Sequence, residues 1–152
     1  MIRRDRAGTS DTKQALLIAR ALVASCLGAC TSQAPEADQG FPETPLSVVQ
    51  SATGAVELEV RTSPDQPPVR GSSRVELTLR DASGLLSGVS IQAVPWMPAM
   101  GHGSPTEPTV SPLEEGKYLL SAVELYMPGR WELRLELGGS VTDSAIVGMD
   151  VR

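Results

Sequence analysis

Histidine occurs once in this 152-residue chain and cysteine twice, which closes off most chemistries that need several such groups together. With one imidazole there is no H-E-x-x-H zinc motif, and a Ser-His-Asp arrangement would have to use His102 as its sole base without any G-x-S-x-G elbow to present the nucleophile. A blue-copper site needs a cysteine thiolate and two histidines, so that form of electron transfer is excluded as well. The adjacent carboxylates Glu114 and Glu115 stand beside Gly116 in a turn, where charge is ordinarily just solvated. No enzyme is expected.

Other scarcities narrow the fold and the partners. Aromatic residues make up 3% of the chain, so any core must be aliphatic. The segment after the N-terminal region contains no long amphipathic helical pattern. The longest apolar stretch, ALLIARALVASCLGAC, is too short to span a bilayer comfortably. The whole chain carries 13 basic and 18 acidic side chains, net −5, with no Lys/Arg cluster. Nucleic acid and anionic lipid headgroups both require positive charge to displace counterions, so neither is expected as a partner.

The apolar stretch follows Arg3, Arg4, Arg6 and Lys13, the arrangement of a secretory signal. Its last four residues, Leu27-Gly28-Ala29-Cys30, resemble the bacterial lipoprotein box. The resemblance implies cleavage before Cys30, whose thiol is then joined to diacylglycerol and holds the protein to a membrane facing the periplasm. Thr31 stands where an aspartate would favour inner-membrane retention, which points to the outer membrane. Arg20 interrupts the apolar run, and the alternative is a free thiol beside an uncleaved anchor. Processing would remove residues 1–29 with five basic and two acidic side chains, leaving eight against sixteen, a net charge of −8. Cys26 would leave with the signal and Cys30 would be acylated, so the mature domain has no disulfide and stands on its hydrophobic core.

Residues 30–54 include TSQAPEADQGFPETP, rich in Pro, Gln, Glu and small residues, and read as a flexible tether. Residues 55–152 read as one domain. Val56, Leu58 and Val60 alternate with Glu57, Glu59 and Arg61, the period of a half-buried strand. The same period recurs in Val75, Leu77, Leu79; in Val89, Ile91, Ala93; in Tyr118, Leu120; in Trp131, Leu133, Leu135, Leu137; and in Ala145, Val147, Met149, Val151. The connectors SPDQPP, DASG, PLEEGK and MPGR carry turn chemistry. The expected fold is all-β, an immunoglobulin-like antiparallel Greek-key β-sandwich of about six to seven strands.

The chemistry concentrates in residues 95–105, PWMPAMGHGSP, which hold Met97, Met100 and His102. Thioether sulfur and neutral imidazole are soft ligands that suit Cu(I). Pro95 and Pro98 favour polyproline II backbone, which would place Met97 and Met100 on one face about 9 Å apart at a rise of about 3.1 Å per residue. Gly101 and Gly103 free the chain beside His102 to fold back toward them. The alternative is that the methionines fill an irregular gap under a loop while His102 is solvated.

PWMPAMGHGSP, EEGKY and YMPGRWELRLEL together resemble the pattern of YtkA-like domains, which are related to the FixH proteins; the resemblance covers roughly residues 55–151. It implies an immunoglobulin-like sandwich outside the cytoplasm, with a proposed link in relatives to copper handling or cytochrome oxidase assembly. This chain has a lipobox in place of the membrane-spanning helix of the FixH type, which weakens transfer of an oxidase-assembly role. Met127 precedes Pro128-Gly129, a pair suited to a type II turn, and would project toward Met97, Met100 and His102; the alternative is that it packs the end of the sandwich. Trp96 either shields the ion from water or stacks nearby, while Trp131 reads as core. The resulting expectation is a copper(I) carrier or chaperone that hands its ion to a copper-accepting envelope protein. The competing expectation is a metal-free protein-interaction module of the cell envelope.

Overall fold

The computed structural model describes residues 40–152, and every described element is a β-strand. The expected signal sequence and Cys30 lie outside the described residues. The strands are β1 (Ser47–Gln50), β2 (Glu57–Ser63), β3 (Gly71–Asp81), β4 (Gly84–Leu85), β5 (Val89–Met97), β6 (His102–Gly103), β7 (Thr109–Pro112), β8 (Lys117–Leu125), β9 (Gly129–Gly139) and β10 (Asp143–Val151). They form two antiparallel sheets, one ordered β1-β2-β3-β8-β7 with β4 paired to β3, the other ordered β10-β9-β5-β6.

This order is the immunoglobulin arrangement. β2, β3, β8 and β7 occupy the A-B-E-D positions of one sheet, and β10, β9 and β5 the G-F-C positions of the other. The chain crosses between sheets from the β3–β4 pair to β5, back from β6 to β7, and again from β8 to β9, which makes the topology a Greek key. The first crossing is pinned by Tyr118, whose hydroxyl donates to the Leu86 carbonyl and accepts from the Val89 N–H, each at 3.1 Å.

Period-2 alternation explains which side chains face inward. The sets expected from the sequence all lie in one buried cluster, with Leu58, Val60, Leu77, Leu79, Leu120, Leu133 and Val147 fully enclosed. Each such leucine contributes about 1.5–3 kcal/mol of transfer free energy. Trp131, at 1% exposure, is the largest of the enclosed residues, so the core is aliphatic around one indole.

Two features differ from the sequence reading. β1 lies within residues 30–54, expected as a tether: it pairs with β2 through Ser47↔Val60 to Gln50↔Glu57. With Val48 half exposed, β1 is held by backbone pairing more than by burial, so its apolar pattern is faint. The strand count also exceeds six or seven, because β1, β4, β6 and β7 are each two to four residues long. Strands so short span too few residues for alternation to show.

One irregularity marks the centre of the larger sheet. The β3–β8 register shifts between Ser73 and Val75, and Ala122 on β8 sits at φ 58°, the conformation of the extra residue in a bulge.

Candidate functional site

Met97 ends β5 and His102 begins β6, and the two are directly paired in register across a tight hairpin. The turn is closed by N–H groups of Met100 and Gly101 donating to the Met97 carbonyl at 3.1 and 3.0 Å. Gly101 takes φ +67°, which only glycine adopts without strain, and so turns the chain back. The polyproline geometry expected for residues 95–100 is therefore corrected: Pro95 lies within β5, paired with Leu133, and Pro98 opens a hydrogen-bonded turn. Met97 and Met100 are related by a turn closure, not by a shared polyproline face.

The hairpin sorts its soft groups by exposure. Met97 is 7% exposed and belongs to the core cluster, while Met100, at the turn, is 55% exposed. His102 is exposed, and its Nδ1 lies 3.1 Å from the Gly103 carbonyl oxygen. A carbonyl can only accept, so Nδ1 carries the proton in that contact, and in the neutral ring the lone pair is on Nε2. This is the arrangement in which histidine binds metals, one nitrogen oriented by a carbonyl and the other free to coordinate.

Met127 comes to the same end of the sandwich by a different route. Its carbonyl accepts from Trp131 Nε1 at 2.8 Å, so the enclosed indole fixes the turn that leads into β9. Met127 itself is half-buried against the core. Gly129, at φ +125°, lies so close to Met97 that a Cβ built there would stand 3.1 Å from the Met97 Cε. Glycine suits the position for its backbone conformation, and the Met97 thioether packs closely against it. The connection between β6 and β7 also meets the turn after β8, the hydroxyls of Thr106 and Tyr126 lying 3.4 Å apart.

The structure thus places Met97, Met100 and His102 on one hairpin, with Met100 and His102 exposed and Met97 buried, and sets Met97 beside Gly129 in the turn that follows the half-buried Met127. Trp96 is not part of this group. As the neighbour of Met97 in a strand it points to the opposite face of the sheet, where the Arg134 guanidinium lies 4.6 Å from its ring centre. The reading of Trp96 as a shield for the ion is corrected to an outward cation–π pair. The positioning role of Trp131 was not legible in advance, because strand alternation identifies an inward side chain but not the carbonyl its N–H will find.

Among the described residues no group of three or more His, Cys, Asp or Glu is placed to hold a metal ion. A hard-cation or zinc-type ligand set is thus not assembled there, and the soft thioether–imidazole cluster is the donor set on offer. Its composition fits Cu(I), which takes polarizable neutral ligands.

Comparison with known proteins gives one family and one solved structure. A search of curated proteins finds no match. The filamin domain of Lin-41, known from a crystal structure, is similar at 27% identity over 61% of this chain and 91% of that one, with a TM-score of 0.43. The sequence profile described as YtkA-like matches residues 52–136, which include β2 to β8, the hairpin and most of β9. The chain belongs to the YtkA-like family.

Proposed function

We propose that this protein is a cell-envelope copper(I) carrier or chaperone, which binds its ion at the end of the sandwich where the β5–β6 hairpin meets the turn after β8. Membership of the YtkA-like family suggests an envelope-associated domain. The observation that carries the copper reading is the hairpin itself. It brings His102, with Nδ1 turned to a carbonyl and Nε2 left to coordinate, into register with Met97 and beside the exposed Met100. Met127, set by Trp131, completes the candidate ligands.

Such a set is neutral, so the bound ion would keep its charge and could pass to a sulfur-rich or acidic copper-accepting partner. An exposed Met100 and His102 suit transfer, since an incoming ligand can reach the ion before the inner sulfurs release it. In this reading the protein binds and hands on its ion without turning over a substrate. Cys30, acylated, would hold it to the membrane, and Thr31 favours the outer one; a Cys30→Ser variant would then be recovered in the soluble fraction.

The test of binding is an anaerobic Cu(I) titration of the full chain in detergent against a competing chromogenic chelator. The reading requires one-to-one binding that is lost in a Met97→Leu, Met100→Ala, His102→Ala triple variant, where Met97→Leu removes the sulfur while keeping the core filled. Absence of binding in the unaltered protein would remove it.

A further inference from the structure

β5 is an edge strand for most of its length. On one side it pairs with β9 from Val89 to Trp96, but on the other β6 reaches only Trp96 and Met97. The direction of its free backbone groups follows from two contacts. The Val89 N–H donates to the Tyr118 hydroxyl at 3.1 Å, and the Pro95 carbonyl accepts from Ser104 N–H at 2.9 Å, so the odd-numbered residues turn their polar groups away from β9. Ile91 and Ala93 lie between them with the same alternation. Their N–H and C=O groups run along the open edge with no partner among the described residues.

That edge opens into a groove of about 380 Å³ walled by Ile91, Gln92, Ala93, Pro108 and Val110, with Glu107 beside them. The side chains of Ile91 and Ala93 are buried, whereas Gln92 is exposed, and its neighbour across β9 is Glu136. Neither Glu107 nor Glu136 has an ion-pair partner among the described residues, and no basic side chain lines the groove. The usual defences of an edge, an inward charge or a lysine, are absent from residues 89–94.

We propose that this edge receives an extended segment of a partner protein, added to the sheet beside β5. Its apolar side chains would stand opposite Ile91 and Ala93 over Val110, and a basic side chain opposite Gln92 within reach of Glu136 and Glu107; the position opposite Val94 is backed on β9 by Arg134, which is engaged with Glu132 and Trp96, and takes an uncharged residue. Main-chain hydrogen bonds supply affinity in this mode and alternate side chains supply selectivity. Charge sets the occupant. A second copy of this chain would bring another uncharged β5 and a second Glu107 to an acidic surface, whereas a basic segment neutralises both carboxylates. The inference does not depend on copper binding, since none of the candidate ligands lies in the groove.

The experiment uses the full chain in detergent and a capped peptide of about seven residues alternating valine with uncharged polar residues and carrying one lysine to face Gln92, with the same peptide carrying glutamate there as control. Amide hydrogen exchange is followed at Ile91 and Ala93. The lysine peptide should slow exchange at both amides by about tenfold or more, and the glutamate peptide should leave them unchanged. Glu107→Lys, a surface change that spares the fold, should weaken the lysine peptide by about tenfold. Ala93→Pro, which removes one edge donor, should abolish binding. Unchanged exchange with the lysine peptide would overturn the proposal. So would equal binding of the glutamate peptide, or protection of both amides by self-association without any peptide.

Discussion

Replacing His102 by alanine removes the one imidazole of the protein without touching the core, because the side chain is exposed at the start of β6. The expected result is a Cu(I) affinity lower by about tenfold or more, with thermal stability within about 0.5 kcal/mol of the parent. Met97 calls for a different substitution. Truncation to alanine would open a core cavity and cost about 2–5 kcal/mol, confusing packing with coordination. Met97→Leu keeps the volume at under about 1.5 kcal/mol, so a drop in copper affinity with a nearly unchanged melting curve would assign the sulfur, and an unchanged affinity would leave Met97 as packing alone. Ala122 provides a separate test of the backbone. At φ 58° a Cβ is strained, and Ala122→Gly should raise stability by about 1 kcal/mol, read as a higher midpoint in denaturant.

At the scale of elements, the turn after β1 is clasped to the start of β10. Asp143 accepts from the Thr53 hydroxyl at 2.5 Å, from Ser144 N–H at 2.8 Å and from Thr53 N–H at 3.3 Å. The Thr53 hydroxyl first, then the Ser51 side chain, and lastly these backbone N–H groups hold its carboxyl down at about 2. A depressed folded-state value means that the stabilising contribution is complete above the unfolded value near 4 and is lost as pH falls toward about 2. An Asp143→Asn variant should therefore melt lower than the parent at pH 6, and the two curves should converge at pH values near 2; equal melting temperatures at pH 6 would remove the clasp. The elements also show what a sequence makes legible. The six long strands announced themselves because one face of each is buried and the period is two. β1, β4, β6 and β7 did not, since two to four residues give no period and their place is set by pairing. The hairpin at Met97–His102 was mistaken for polyproline II for a related reason: prolines state a local preference, but the closing hydrogen bonds to the Met97 carbonyl arise only when Gly101 reverses the chain.

For the molecule as a whole, Trp131 links stability to the site. It is the largest enclosed side chain and its Nε1 holds the carbonyl of Met127. Trp131→Ala should cost about 3–5 kcal/mol, a large part of the total stability of about 5–15 kcal/mol expected for a domain, and equilibrium unfolding in urea would show it. Trp131→Phe should retain more of that packing while freeing the Met127 turn, so its copper affinity should fall further than its stability alone implies. The run PWMPAMGHGSP made Met97, Met100 and His102 visible together in the sequence and the family pattern added Met127, but which of them are exposed and which buried belongs to the sandwich, where Met97 packs beside Gly129 and Met127 is half-buried against the core. The central claim is that these side chains are copper ligands, and X-ray absorption spectroscopy of the Cu(I)-loaded protein tests it most directly. The account predicts a mixed shell of sulfur with one imidazole nitrogen, the nitrogen disappearing in His102→Ala. A shell without sulfur, or one that His102→Ala leaves unchanged, would contradict it.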